Sequence, residues 1–189
     1  MTGLSLDSRK TALVVIDLQN ALMGFTTAPY PVADVVKRNR QIADALRAKG
    51  GLVVWVRVDI NRVVRLPVDR PMPFEGQHVP AELMEIAPSA GFEEGDMLIT
   101  KYHWGAFSGT ALQQRLTFRD IDTVLLTGIS SNAGVESTLR EGTGLGFAFV
   151  AVEDACSAQD GEGHRYTFEK IFPRLARVRT TEEVLKALA

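Results

Sequence analysis

The chain has a single cysteine, three histidines and no excess of either charge: 21 Lys plus Arg stand against 23 Asp plus Glu in 189 residues, a formal net charge of −2. One cysteine cannot close an intramolecular disulfide, so nothing of that kind supports the fold. So few thiols and imidazoles leave no basis for a dedicated structural zinc site. Interspersed acids and bases produce no single-signed field, which removes nucleic acid and anionic membrane from the expected partners. No apolar run approaches the roughly 20 residues of a spanning helix. The opening Met1-Thr2-Gly3-Leu4-Ser5-Leu6-Asp7 lacks the basic and apolar regions of a secretion signal, so a cytoplasmic setting is expected.

What is present is an ordinary globular composition, 46% hydrophobic, at a length that favours one domain over residues 1–189. The run Thr11-Ala12-Leu13-Val14-Val15-Ile16 is short, β-branched and continuous instead of alternating, as in a strand buried on both faces. Similar runs cover 52–58, 97–100, 123–127 and 147–152, with a short sixth at 176–179. Helical periods separate them at 32–48, 111–118, 133–145, 161–171 and 181–188. The first of these carries Val35, Val36, Ile42, Ala45 and Leu46 on one stripe and stops at Gly50-Gly51. In the last, Thr180 and Glu183 match a capping box. Strands alternating with helices predict right-handed crossovers and an α/β domain of three layers, α/β/α, around a six-stranded, mainly parallel, Rossmann-like sheet. Residues 59–88 hold five of the eight prolines. That irregular stretch reads as a cover for a site or partner, with a short helix within 80–86.

In such folds ligands bind beyond the carboxyl ends of the strands. Strand one delivers Asp17, in Val15-Ile16-Asp17-Leu18-Gln19, where an apolar setting would raise a carboxyl pKa towards acid/base use. Strand three delivers Lys101, followed by Tyr102-His103-Trp104-Gly105-Ala106-Phe107. The lysine can orient a carboxylate or bind an anion, or be an ordinary surface lysine. Trp104 and Phe107 suit either an apolar pocket wall or core packing. Strand four leads into Thr127-Gly128-Ile129-Ser130-Ser131-Asn132-Ala133-Gly134, small residues whose backbone N–H groups could cradle an anion at a helix start.

Together these segments resemble the isochorismatase-like hydrolase superfamily, which includes nicotinamidases and N-carbamoylsarcosine amidohydrolase. The likeness runs from Val15-Ile16-Asp17-Leu18-Gln19 through Lys101 and Trp104-Gly105-Ala106-Phe107 to Thr127-Gly128-Ile129, Val135-Glu136-Ser137-Thr138 and Val152-Glu153-Asp154-Ala155. It implies that Asp17 and Lys101 are two members of an Asp-Lys-Cys triad and that Gly134 stands at the position of the nucleophilic cysteine. Cys156, in Glu153-Asp154-Ala155-Cys156, is no replacement and reads as a small buried side chain. The resemblance further implies a non-proline cis peptide at Ile129–Ser130, an oxyanion hole there, and Gln19, Trp104, Phe107, Ile129, Ser130 and Asn132 around the substrate. Nicotinamidases hold a metal after strand two; Asp59-Ile60-Asn61-Arg62 has no histidine at that spacing, so neither metal nor other cofactor is expected.

Isochorismatases also resemble this chain in having glycine at the nucleophile position, and they cleave a vinyl ether without covalent catalysis. The first expectation is therefore a hydrolase of a small, anionic molecule with Asp17 as general acid. That role asks burial to outweigh Lys101, whose ammonium lowers a carboxyl pKa. The second is a degenerate member that binds a metabolite without turnover. The third, an amidase with Ser130 or Ser131 as nucleophile, places the serine away from the family's position. Arg57, Arg62, Arg65 and Arg70 in the covering stretch are candidate carboxylate ligands or solvated surface. A homo-oligomer, dimer or tetramer, is expected, with segment 59–88, Phe74 and Phe92 offering surface for assembly.

Overall fold

The computed structural model describes residues 4–71 and 76–188, and Phe74 lies outside them. The first strand, β1 (Thr11–Ile16), is buried along its whole length. Each Val, Leu or Ile removed from water there contributes roughly 1.5–3 kcal/mol, which fixes the run at the centre of the sheet. Around it lie β2 (Leu52–Val58), β3 (Met97–Lys101), β4 (Thr123–Ile129), β5 (Ala148–Ser157) and β6 (Arg177–Arg179). The spatial order is β3-β2-β1-β4-β5-β6, and every adjacent pair is parallel. The order reverses between β1 and β4, and at such a switch point the connections diverge and leave a crevice.

Helices cover both faces. The side chains of Leu13, Val15, Val53, Trp55, Leu125 and Val150 pack with α1 (Val32–Ala48) and α6 (Thr181–Leu188). Ala12, Val14, Ile16, Val54, Val56 and Leu126 pack on the other side with α3 (Leu112–Phe118), α4 (Glu136–Gly144), Phe168 and Phe172. The capping box on α6 forms in both directions: the Thr180 N–H donates to Glu183 Oε2 at 2.8 Å and the Glu183 N–H to Thr180 Oγ1 at 3.3 Å. The short helix of the covering stretch is α2 (Ala81–Met84) and α5 is Gly161–Tyr166.

Three sequence readings change. The strand expected over 147–152 continues to Ser157, because β4 and β5 shift register after Leu126 and pair again at Gly128–Cys156 and Ile129–Ser157. Such a bulge keeps a strand pairing while turning residues off the ladder, and here it leaves Glu153 and Asp154 at intermediate exposure. Cys156 is consequently within a strand instead of after one. The helix expected over 133–145 starts as a wide π-type turn, Ser131–Val135, in which Asn132 departs from helical dihedrals, and is regular only from Glu136 to Gly144. A second wide turn, Thr167–Ile171, follows α5. Apolar spacing does not register such one-residue insertions, which often occur at functional positions.

Candidate active site

Asp17 leaves β1 with a left-handed backbone, φ 56°. Asp tolerates that region better than most residues, and the turn aims its carboxyl at the β1–β4 crevice. Glycine is required opposite: Gly128 has φ 116°, and a Cβ there would collide with the backbone of Ile16. The peptide Ile129–Ser130 is cis, as the resemblance implied.

Lys101, at the end of β3, is 2% exposed and Asp17 8%. Lys101 Nζ lies 2.8 Å from Asp17 Oδ2 and also donates to the Trp104 carbonyl at 2.8 Å. Asp17 Oδ1 is buried without a hydrogen-bond partner among the described residues. Burial pushes the Asp17 carboxyl above its ordinary range, and the charge and hydrogen bond of Lys101 oppose that rise without cancelling it. The contest between desolvation and the neighbouring cation is thus won by desolvation. Gly134 completes the group: a Cβ at this position would stand 2.9 Å from Lys101 Nζ and 3.3 Å from Asp17 Oδ2.

These residues open on a cavity of about 330 Å³, also lined by Gln19, Leu22, Phe25, Ile60, Trp104, Ile129, Ser130, Asn132 and Asp160. Of the residues expected around a substrate, Trp104, Ile129, Ser130 and Asn132 are there. Phe107 is not; it is buried in the core and stacks on Phe147 with centroids 5.6 Å apart. Gln19 borders the cavity, but its amide is spent on backbone: Nε2 donates to Val58 O and Met84 O, and Oε1 accepts the Val58 N–H. It ties the covering stretch to β1 and offers a ligand little. The anion cradle is also smaller than expected, since the N–H groups of Ala133 and Val135 both donate to the Ser130 carbonyl.

No arginine lines this cavity among the described residues. Arg57 pairs with Glu85 and Arg62 lies over the Tyr102 ring. Arg65 and Arg70 border an adjoining cavity of about 410 Å³, which shares Ile60, Val63, His103 and Trp104 with the first. Asp59 Oδ1 accepts the N–H groups of Asn61 and Arg62, and among the described residues no cluster of three or more His, Cys, Asp or Glu is placed to hold a metal. Cys156 is fully buried in the core, where desolvation pushes its thiol up. Ser131 is fully buried and does not line the cavity, while Ser130 does. Leu22, Phe25 and Asp160 were missed by sequence reading. They come from connections that carry no periodic signal; the one local signal available is Asp160 directly before a helical period, where it caps through the Glu162 N–H.

A profile of the isochorismatase domain matches residues 11–183. The uncharacterised isochorismatase family protein YecD of Escherichia coli O157:H7 is 43% identical over 98% of this chain and 100% of its own length. A ureidoacrylate amidohydrolase, RutB of Klebsiella pneumoniae, is 30% identical over 81% of this chain and 75% of its own. The solved structure of an isochorismatase family protein from Burkholderia thailandensis superposes with a TM-score of 0.91 at 34% identity, covering 97% of each chain. With an α/β sheet of this order and a match across nearly its whole length, the chain belongs to the isochorismatase family.

Proposed function

We propose that this protein hydrolyses a small anionic molecule at a vinyl ether or related bond, by acid catalysis from Asp17 and without a covalent intermediate. The observation that carries the reading is the Asp17 carboxyl: it is buried and raised in pKa despite Lys101, Asp17 lines the cavity, and Oδ1 has no hydrogen-bond partner among the described residues. A protonated Asp17 carboxyl would give its proton to the enol ether carbon as the C=C electrons form the new C–H bond. Water adds to the resulting oxocarbenium ion, loses a proton to the Asp17 carboxylate, and the hemiketal collapses to carbonyl and alcohol. Gly134, taken as the family's nucleophile position, leaves room beside the pair for water or the reacting bond. Lys101 keeps the carboxyl oriented through Oδ2. Trp104, Ile129, Ser130 and Asn132 enclose the substrate, whose charged group we assign to the adjoining cavity near Arg65 and Arg70.

Screening small vinyl ethers, esters and amides with the purified protein tests this reading. Asp17→Asn should reduce turnover of any substrate found by about 10²–10⁴-fold, while an unchanged rate would remove Asp17 from the chemistry. A screen without turnover, combined with thermal shifts from small carboxylates, would instead establish a binder.

A further inference from the structure

Behind the cavity wall lies a chain of polar groups, buried at Ser131 and His164 and partly exposed at Glu153 and Tyr30, that the proposed chemistry does not use. Ser131 Oγ is 2.7 Å from His164 Nδ1, His164 Nε2 is 3.0 Å from Glu153 Oε1, and the Tyr30 hydroxyl donates to Glu153 Oε2 at 2.8 Å. A carboxylate only accepts, so Nε2 carries a proton, and in the neutral ring Nδ1 accepts from the Ser131 hydroxyl. The order matches a Ser-His-Glu triad, yet Ser131 is 0% exposed and His164 2%, so the serine cannot meet a substrate.

The chain joins two segments of the cavity wall. Ser131 is the one member of 130–134 that does not line the cavity. His164 belongs to α5, whose cap Asp160 and its neighbour Gln159 do line it. The segments also touch directly, since a Cβ on Gly163 would collide with the Asn132 amide.

We infer that His164 is a positioning residue, which through Ser131 sets where Asn132 and Gly134 stand in the cavity and makes that position respond to the protonation of its ring. The inference rests on the cavity being the functional site. Protonation puts a hydrogen on Nδ1, so the Ser131 hydroxyl must turn from donor to acceptor in a fully packed setting. Among the described residues the titratable groups on the ring are Glu153 of β5 and Tyr30, edge-on at 6.1 Å; Arg38 lies over Tyr30 and pairs with Asp154, and Asp160 caps the ring's own helix through the Glu162 N–H.

Nitrogen NMR of the histidine rings and backbone amides tests this over a pH series of about 5 to 8, where histidines titrate. In the unaltered protein the amides of Asn132 and Gly134 should follow the midpoint of His164. In Ser131→Ala the ring should still titrate while those amides cease to follow it, and Ser131→Thr should restore the response. The coupling should persist in Asp17→Asn, which separates it from the catalytic assignment. A ring that does not titrate in this range, amides that ignore it, or an unchanged response in Ser131→Ala would each overturn the inference.

Discussion

At the level of single residues, the conflict built into the Asp17–Lys101 pair is settled by burial. A general acid works while protonated, so activity should be present below the raised pKa of Asp17 and lost as pH rises through it. Lys101 is the group that pulls this pKa down, and replacing it moves the limb in one direction. Lys101→Met should shift the alkaline fall of kcat/KM to higher pH, measured with any substrate the screen yields. A fall that stays in place would show that Asp17 is not the titrating acid. Asp17 and Lys101 were legible in the sequence because a charged residue directly after an apolar strand is conspicuous and the architecture assigns meaning to strand ends. The misplacement of Phe107 has an equally local cause. An aromatic residue three positions beyond Trp104 has the same composition signal whether it faces the cavity or Phe147, and only the path of the chain between them decides.

At the level of elements, the site depends on how closely β4 approaches β1. Gly128 is paired with Ile16 in the sheet, and its positive φ and the nearby Ile16 backbone leave no room for a side chain. Gly128→Ala should therefore destabilise the protein by at least about 2 kcal/mol, read from the urea midpoint. A loss within a few tenths of a kcal/mol would contradict the close approach. The capping box of α6 and the full extent of α1 were readable because both are local: a helix and its cap are specified by residues within a few positions. The bulged extension of β5 to Ser157 was not, because it is set by pairing with Gly128 and Ile129, distant in sequence.

For the molecule as a whole, the buried Asp17 and the partly buried Asp96 and Glu153 make stability depend on pH with opposing signs. Burial raises Asp96, but the Arg47 guanidinium, the Glu93 N–H and the Trp55 indole outweigh it and hold the carboxyl below its usual range. Glu153 is likewise pushed up by burial and held below its ordinary value by His164, Tyr30 and Arg38. A carboxyl whose folded pKa is lowered contributes stability above its unfolded pKa, roughly 4, and that stability is lost as pH falls through the lowered value. Asp17, being raised, runs the other way and favours the folded state more as pH falls. Asp96→Asn should lower stability at neutral pH and flatten its acid decline, as read from denaturant midpoints across pH; a parallel, undiminished decline would assign acid sensitivity elsewhere. The exposed Val64, Leu66 and Val68 line the adjoining cavity together with Trp104. No helix among the described residues is long and apolar enough to cross a membrane.

The order of strands and helices, the place of Asp17 and Lys101 at strand ends and the burial of the lone cysteine were legible in the residues alone, because these follow from hydrophobic period and from which residues are scarce. The folded chain alone shows that desolvation exceeds the pull of Lys101, that Gln19 spends its amide on backbone, that Arg65 and Arg70 border an adjoining cavity, and that Ser131 Oγ meets His164 Nδ1. Each of these depends on distances between residues far apart in the chain, where burial and charge act through space and leave no trace in the order of residues.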